Sequence, residues 1–494
     1  MLSIVIFLPL VVGVVLAITR RVPPAVARWV WLGTTVVDLL LIVLIAATPP
    51  SGTALHGEQH LVWMPGISSS YHVGVDGLSL PLLLLTGVIF VVCALWSLRA
   101  TERPRAQAAL FLFLQSTSLG LFAAQDLILF FVFFDLSIVG MYFVIAGWGH
   151  GDARRSALKF FLYTFLGSLA LLLGFIGLYL GASPHTFDMV QLSRHGSFTG
   201  TPLAAGFILA AIVVGLAIKT PTFPFHSWLP PAHTDAPTIG SVVLASVLLK
   251  MGTYGFVRIA IPMLPGAWRD YAWVIVVVGI VSVLYGALVA MAQTDVKRMI
   301  AFTSINHMGY VILAVGAAGI VGRTTEQAQQ LAITGAVTQM VSHGLVTGAL
   351  FLLAGVFYDR TGSYNLRDYG GLARPAPRFA GFFIVASFAS LGLPGFSGFI
   401  AEFQIFTGSI GTTWWALLAL PGILITAALL LRAFQRVFTG STENLSTGFQ
   451  DLDRRETIPL VILMGLSVAI GVIPGPLLAI IQPAAQVLVA GLTP

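Results

Sequence analysis

Six ionisable side chains interrupt long apolar runs of this sequence, where a charge is hard to accommodate. They are Asp135, Lys219, Lys250, His307, His343 and Glu402. A charge at the centre of a membrane helix costs about 2.5–3.5 kcal/mol on insertion scales, so such residues are rare and mark ion or proton pathways. Two carboxylates, two amines and two imidazoles can pass protons among themselves. Together, the six residues predict a proton relay inside a membrane.

Each of these residues also has a simpler explanation. A lysine can extend its ammonium group to the membrane surface, and a lone histidine is more often structural than functional. The carboxylates of Asp135 and Glu402 are harder to explain in this way, because their stems are short. The polar neighbours available to the histidines are Thr303 or Asn306 for His307, and Gln339 with Thr347 for His343. The occurrence of all six residues together favours the relay.

Two apolar runs are broken in the middle, and each break has a charged residue beside it. The run 203–229 is interrupted at TPTFP, next to Lys219, and the run 379–408 at LGLPGFSG, just before Glu402. Proline removes a backbone donor and clashes with the preceding turn, and protein or water must then satisfy the freed carbonyls. An ordinary proline kink could explain one break. Two breaks in corresponding places are typical of inverted repeats with an ion path between them.

The composition places these residues in a membrane protein. Of the 494 residues, 57% are hydrophobic and 9% are charged, whereas a soluble domain has about 25% charged residues. The net charge of +6 is spread over loops and does not indicate nucleic-acid binding. The single cysteine, Cys93, excludes disulfides, a cysteine-ligated iron–sulfur cluster and a multi-cysteine zinc site within this sequence. The first apolar run has no basic residues before it, which predicts a retained span rather than a cleaved signal peptide.

Fourteen apolar runs are long enough to cross a bilayer, which needs about 20 residues. They fall at 2–18, 29–47, 78–98, 107–124, 127–147, 156–181, 203–229, 238–260, 272–292, 298–320, 331–357, 379–408, 412–438 and 457–475. The tail 476–492 is also apolar and either lies along the membrane surface or extends the last span. No soluble domain fits between the runs, so residues 1–494 form one mostly helical membrane domain.

Basic residues predict the topology. Of the 25 lysines and arginines, 19 lie in odd-numbered loops, and two are the intramembrane Lys219 and Lys250. Even-numbered loops contain only Arg194, Arg258, Arg269 and Arg323. Because cytoplasmic loops are enriched in basic residues, the odd loops, such as 359–378, are expected in the cytoplasm. Both termini and the even loops, such as 182–202, are then external.

Several long motifs resemble a known family. They include IKTPTFPFHSWLPPAHTDAPTIGSVVLASVLLKMGTYGFVR, AFTSINHMGYV, QMVSHGL, LPGFSGFIAEF and VWMPGISSSYHVGVDGLSLPL. These motifs resemble the antiporter-like subunits of respiratory complex I, which are related to Mrp-type cation/proton antiporter subunits. The resemblance covers nearly the whole sequence. The acid at Glu402 resembles the M branch, since the L and N branches and the Mrp relatives typically have lysine there.

The resemblance implies an all-α polytopic fold of about fourteen transmembrane helices with two inverted five-helix repeats, each containing one discontinuous helix. Its segments would be helices one to three at 1–106, the repeats at 107–262 and 271–438, and a C-terminal helix at 457–494. It implies an acid–lysine pair of Asp135 and Lys219, a central relay at Lys250, a terminal relay at Glu402, and connecting groups at His307 and His343. The family usually has glutamate in place of Asp135 and an acid in place of Pro231.

The implied function is proton translocation in a proton-pumping NADH:quinone oxidoreductase, driven by redox chemistry in other subunits. FMN, iron–sulfur clusters and quinone are expected in those partners, with no cofactor or metal in this chain. The expected partners are other membrane subunits of complex I, especially L and N, and lipids. The expected location is the bacterial inner membrane. The alternatives are an Mrp-type Na⁺/H⁺ antiporter subunit, a subunit of a membrane-bound hydrogenase, and an inert structural spacer.

Overall fold

The computed structural model describes residues 1–19, 21–47, 55–99, 102–194, 198–320, 326–440 and 449–492. Arg20 and Arg323, which entered the topology count, lie outside the described residues, as do parts of the predicted loops 48–77, 182–202 and 439–456. The described chain is mostly helical, with a single two-stranded sheet among those residues.

Nine helices precede or form the first break. They are α1 (Leu2–Ile18), α2 (Pro24–Ala46), α3 (Leu80–Trp96), α4 (Pro104–Ala123), α5 (Leu127–Trp148), α6 (Ala153–Gly181), α7 (Met189–Leu192), α8 (Pro202–Lys219) and α9 (Leu229–Asp235). Short 3₁₀ turns occur at Pro65–Ile67 and Ser97–Arg99.

Nine further helices complete the described chain. They are α10 (Thr238–Met263), α11 (Pro265–Met291), α12 (Val296–Ala318), α13 (Glu326–Thr361), α14 (Pro377–Ser390), α15 (Ser397–Thr412), α16 (Leu420–Phe438), α17 (Arg454–Val472) and α18 (Gly475–Ala490). Two stretches of α10, Leu244–Leu248 and Phe256–Ala260, have π-helical hydrogen bonding, and 3₁₀ turns lie at Leu366–Asp368 and Trp414–Ala419.

Eleven helices of the described chain are long and apolar enough to cross a membrane. Three more predicted spans correspond to shorter apolar helices, α1, α3 and the broken pair α14–α15. The fold is therefore that of a multi-pass helical membrane protein. The number fourteen and the boundaries of the two repeats stay predictions, although the two broken helices lie where the prolines placed them.

A β-hairpin occupies part of the second loop, which the sequence analysis left without secondary structure. Strand β1 (His56–Met64) pairs in antiparallel register with β2 (Ser69–Val75), and Ser68 in the turn has a left-handed backbone with φ 52°. The first residues of β2 are fixed by Asp126, which accepts hydrogen bonds from Ser70 N and from the Ser69 hydroxyl. Asp126 also caps α5 by accepting from Ile128 N and Leu129 N. The hairpin is thus attached to the helix that carries Asp135.

Contacts between loops define two faces of the molecule. On the hairpin face, His72 contacts Asp188, and Arg258 contacts Asp76. On the opposite face, His150 N donates to Asp235 O, Leu366 N donates to Thr294 O, and Arg360 pairs with Glu456. Each of these contacts joins two even-numbered loops or two odd-numbered loops. This grouping agrees with the alternation that the span count requires.

Both ends of the described chain lie on the hairpin face. The Ser3 hydroxyl is 2.7 Å from Tyr71 Oη in the hairpin, and Arg269 Nη1 donates to Leu492 O at 2.9 Å. Gly77, which follows the hairpin, packs directly on the backbone of Ile480 in α18. Residues near the start of α18 and just after its end therefore contact this face. Whether the tail lies along the membrane surface or extends the last span stays a prediction.

Glycines let α11 and α12 approach closely. A Cβ added to Gly279 would lie 2.5 Å from Leu313 N, and one added to Gly309 would lie 2.7 Å from Val283 N. Small residues of this kind allow tight contact between membrane helices. The close packing fixes the position of α12, which carries His307.

Candidate functional site

Lys219 is the last residue of α8 and is almost completely buried, with 1% of its surface exposed. Its Nζ donates to Ser137 Oγ at 3.2 Å and lies 4.9 Å from the centre of the Phe134 ring. The helix ends here because Pro221 and Pro224 follow. A cation at a helix C-terminus is stabilised by the helix dipole. Ending the helix at Lys219 therefore offsets part of the hydration energy that the ammonium group loses on burial.

Nearby groups satisfy the carbonyls that the first break frees. Trp228 Nε1 donates to Ile218 O at 2.8 Å, and Thr222 N donates to Ala217 O at 3.1 Å. These bonds let an irregular segment persist within the helical bundle. The break is therefore a discontinuity whose freed carbonyls have specific hydrogen-bond donors, and not a simple proline kink.

Asp135 and Lys219 do not touch. No carboxylate in the described chain lies within 4.0 Å of Lys219 Nζ, and Asp135 Oδ1 is buried without a hydrogen-bond partner. Lys219 nevertheless acts on Asp135 electrostatically, and Ser168 also lies beside the acid. Asp135 as a residue is only half-buried. The acid–lysine pair that the resemblance implies is thus separated in this structure.

Lys250 lies in the middle of α10 and is fully buried. The π-helical turn before it leaves the Ala245 carbonyl without its usual helical partner, and Lys250 Nζ donates to this oxygen at 2.5 Å. The same Nζ is 2.6 Å from His343 Nδ1 in α13. Such π turns are frequent at functional sites, and this one gives a buried ammonium group an acceptor without removing its contact with a proton acceptor.

The two predicted histidines lie next to each other. The rings of His343 and His307 have centroids 5.4 Å apart and meet edge to face. His343 Nε2 and His307 Nδ1 are both buried and make no hydrogen bond to the described protein. The polar neighbours proposed for His307 bond elsewhere: Thr303 donates to Ile300 O and Asn306 donates to Val283 O.

His307 connects this pair to Glu402. Its Nε2 lies 3.3 Å from the Ser390 carbonyl, at the start of the second break, and 3.9 Å from Glu402 Oε1. Both side chains are at least 90% buried. His307 therefore reaches the second broken helix and the terminal acid through one nitrogen.

The second break makes room for the Glu402 carboxylate. Gly392 has φ +68°, and a Cβ at this position would collide with Glu402 Oε2. The beginning of α15 is fixed by Ser397, whose Oγ lies 2.8 Å from both Ser342 Oγ and Ser467 Oγ. Two features of this position therefore require glycine: its left-handed backbone and the carboxylate that packs over it.

These contacts form a buried line of exchangeable protons, Lys250–His343–His307–Glu402. An ammonium group can only donate, so His343 accepts at Nδ1 and carries its hydrogen on Nε2. His307 donates from Nε2 to the Ser390 carbonyl, so its Nδ1 is an acceptor. Each imidazole therefore has its acceptor towards Lys250 and its donor away from it. The tautomers are thus oriented from Lys250 towards Glu402, while among the described residues no hydrogen bond joins His343 to His307 or His307 to Glu402.

Comparisons with known proteins bear on which family has this arrangement. Residues 124–429 match the family model described as NADH:quinone oxidoreductase/Mrp antiporter, TM. The NADH-quinone oxidoreductase subunit M of Rhodobacter capsulatus is 37% identical over 99% of this chain and 96% of that protein. A chain in respiratory complex I from Thermus thermophilus has a TM-score of 0.90 and 30% identity, with all of both chains covered.

The chain belongs to the NADH-quinone oxidoreductase subunit M family. A chain of the Mrp complex from Dietzia has a TM-score of 0.86 over 100% of this chain and 99% of its own, but its identity is 22%, so that likeness concerns the fold alone. The Mrp alternative is accordingly less well supported than membership of the subunit M family. Both solved structures come from multi-subunit membrane assemblies.

Sequence reasoning missed two buried groups of this chain near the opposite face. Lys297, assigned to a loop, is fully buried and donates to Ala236 O at 2.5 Å, with its Nζ 4.9 Å from the centre of the Tyr364 ring. His233 is fully buried, stacks on Phe351, and has no hydrogen-bond partner for either ring nitrogen. Lys297 sits at a helix start, where sequence alone does not distinguish a loop lysine from a buried one.

Asp38 is a third buried group that the sequence analysis did not identify. It lies in α2, fully buried, and accepts a hydrogen bond from Gln115 Nε2 in α4 at 2.6 Å. The signal was available, because Asp38 is the only acid in the apolar run 29–47. This hydrogen bond joins α2 to α4, neither of which is a broken helix or carries a residue of the Lys250–Glu402 line.

Proposed function

We propose that this chain translocates protons for an NADH:quinone oxidoreductase, through the line Lys250–His343–His307–Glu402. The observation that carries the proposal is the 2.6 Å contact between Lys250 Nζ and His343 Nδ1 in a fully buried setting. A buried lysine whose hydrogen-bond partners are a carbonyl and a neutral imidazole has no counter-charge. Burial therefore disfavours its protonated form and favours release of a proton. An inert spacer has no need for such a group.

The second step passes the proton to Glu402. His343 can take a proton on Nδ1 and release the one on Nε2, and His307 can do the same from Nδ1 to Nε2. Each transfer returns the ring to a neutral form, so no imidazolium has to persist in the apolar interior. Glu402, packed over Gly392 at the break, is the acceptor from which the proton would leave.

The first half of the chain acts as the switch in this proposal. Burial disfavours the charged form of Lys219, and a nearby carboxylate favours it. Moving one proton against 100 mV costs about 2.3 kcal/mol, and two unit charges 4 Å apart interact by about 4 kcal/mol at an effective dielectric of 20. Closing or opening the gap between Asp135 and Lys219 therefore changes their interaction energy by an amount comparable to the cost of moving one proton.

The driving chemistry is assigned to partner subunits, which would hold the FMN, the iron–sulfur clusters and the quinone. Asp135 supports a partner contact, because it is half-buried in an apolar helix whose neighbours Leu136 and Val139 are each 36% exposed. An acid close to lipid would be costly, and a neighbouring L- or N-type subunit would cover this face of the helix. Lipids would cover the remaining apolar surface.

The proposed location is the bacterial inner membrane with the hairpin face outside. A cysteine at Ser193, which is exposed on that face, tests the orientation in a Cys93→Ser background. Cys93 is itself buried, so it contributes little reactivity. An impermeant thiol reagent added from outside should label Ser193→Cys. Labelling only from the cytoplasmic side would reverse the assignment.

The proposal is tested with Lys250→Met in the assembled complex, reconstituted in vesicles. Pumping and NADH:quinone electron transfer are measured separately, the latter with an uncoupler present. We expect proton pumping to fall by at least about 100-fold, the lower range for loss of a positioned acid or base. Lys250→Arg keeps the charge but cannot release a proton, so it should fail as well. Full pumping by either variant would contradict the proposal, and pumping that requires Na⁺ would favour antiport.

A further inference from the structure

The hairpin face holds a cluster of histidines and carboxylates that the proton line does not use. Five of the ten histidines in the sequence occur in the second and sixth loops, at His56, His60, His72, His185 and His195; His195 lies outside the described residues. His60 and His72 are direct partners across the hairpin. Their rings are stacked, with centroids 4.5 Å apart and planes within 10°.

Each ring nitrogen of His72 is within hydrogen-bond distance of a carboxylate. Its Nδ1 is 2.5 Å from Asp188 Oδ2, and its Nε2 is 2.9 Å from Glu58 Oε1. His72 and Asp188 are buried, with 2% and 3% of their surfaces exposed. Asp188 is held in place because it also accepts a hydrogen bond from Gln191 N at 2.8 Å. The cluster is therefore anchored on the strand β2 and on the start of α7.

We propose that His60, His72 and the carboxylates Asp188 and Glu58 form a binding site for Zn²⁺ or a similar divalent transition metal. One ligand atom from each of His60, His72 and Asp188 can be chosen so that all lie within 4.8 Å of one another. Imidazole and carboxylate are the ligands that such metals take in proteins. Exposed positions at His60 and Glu58 leave a path by which the ion reaches the site.

The two contacts of His72 differ in a way that suits a metal. Two ligands of a tetrahedral zinc ion at its usual bond lengths are about 3.3 Å apart. Both contacts of His72 are at hydrogen-bond distance, and the longer one, from Nε2 to Glu58 Oε1, needs the smaller change to reach this value. A histidine that binds a metal commonly donates its other N–H to a carboxylate, which fixes the ring. If Nε2 of His72 binds the ion, Asp188 serves His72 in this way and Glu58 is the carboxylate ligand; if Nδ1 binds it, Asp188 is the ligand and Glu58 the supporting group.

The competing explanation is a protonated histidine held between two acids. Burial lowers the pKa of His72, but contacts with Asp188 and Glu58 outweigh it and raise the pKa above the ordinary value. That arrangement accounts for His72 but gives no part to His60, whose side chain makes no hydrogen bond within the described chain. The position of His60 therefore decides between the two explanations.

The test uses the purified full-length chain in detergent, titrated with Zn²⁺ and, in parallel, with Co²⁺, whose visible absorption reports its coordination. We expect one equivalent of Zn²⁺ to bind, and His60→Ala to weaken binding by more than about tenfold, the lower end of the range for lost support at a metal site. Glu58→Gln should also weaken it. His60 is exposed, so its replacement should not prevent folding.

His185→Ala is the matched control, because His185 is exposed on the same face and its Nδ1 lies 2.9 Å from Tyr179 O, outside the cluster. It should bind Zn²⁺ like the unmodified chain. Absence of stoichiometric binding by the unmodified chain, or equal affinity of the chain and His60→Ala, would overturn the proposal and leave His72 a structural residue held between two acids.

Discussion

The two halves of the polar path use the same residue types in opposite arrangements. In the first half, Asp135 and Lys219 are separated, and the acid is only half-buried. In the second half, Lys250, His343, His307 and Glu402 lie in consecutive contact or near-contact and are almost completely buried. The first half therefore has a gap between opposite charges, whereas the second is a close series of exchangeable groups in which the two histidines make no hydrogen bond to each other. In the function proposed above, the first half controls proton movement and the second transports the proton.

The two breaks show the same division. The first follows its lysine, so Lys219 sits at a helix C-terminus, where the helix dipole favours a cation. The second precedes its acid, and Gly392 clears space for the Glu402 carboxylate. One break thus holds a charge, and the other lets an acid approach a histidine. The predictions below are designed to abolish or reverse this difference, from the largest expected effect to the smallest.

Lys219→Ala should remove the switch altogether. Without the ammonium group, Asp135 has no charge to engage, so we expect proton pumping to fall by at least about 100-fold, the lower range for loss of a positioned acid or base. Assembly should be unaffected, which native gel electrophoresis of the complex would check. The control is Arg155→Ala, a basic residue exposed on the opposite face. Normal pumping by an assembled Lys219→Ala complex would reject the switch.

Asp135→Glu should narrow the gap between the acid and Lys219, because it adds one methylene to the stem. We expect it to keep most of the pumping activity, while Asp135→Asn loses most of it for want of a charge. The ratio of pumped protons to oxidised NADH is the quantity to compare. Equal ratios for the Glu and Asn variants would show that the charge at this position does not matter.

Gly392→Ala should have a smaller effect that is confined to the second half. The left-handed backbone costs an alanine about 1–2 kcal/mol, and the new Cβ would press on Glu402. We expect a lower thermal unfolding temperature and a partial loss of pumping. Gly381→Ala is the matched control, since a Cβ there meets nothing within 4 Å. Similar results for both variants would argue against the packing of Glu402 on Gly392.

Much of this arrangement was predictable from sequence, because each feature left a local sign. The two breaks follow from proline and glycine inside apolar runs, and the six candidate relay residues stand out as ionisable groups in those runs. The adjacency of His307 and His343 has no such sign, since 36 positions separate them along the chain and only the packing of α12 on α13 unites them.

Other features depend on three-dimensional context. The π turn that frees the Ala245 carbonyl for Lys250 arises within an ordinary apolar stretch. The hairpin was missed because its first strand is largely exposed and lacks a regular alternation of buried and exposed residues. Lys297 was counted as a loop residue, because burial at a helix start is decided by neighbouring segments. Asp38, in contrast, could have been identified from its run alone.

The central claim is that protons leave the buried line through Glu402, and one comparison tests it most directly. Glu402→Gln and Asp38→Asn each neutralise a buried intramembrane acid, but only Glu402 lies beside His307. The complexes would be reconstituted in vesicles, and NADH-driven pH changes followed with a fluorescent probe. We predict that Glu402→Gln stops pumping, that Glu402→Asp and Glu402→Lys retain part of it because a titratable group remains, and that Asp38→Asn pumps normally. Equal pumping by Glu402→Gln and the unmodified complex would contradict the account.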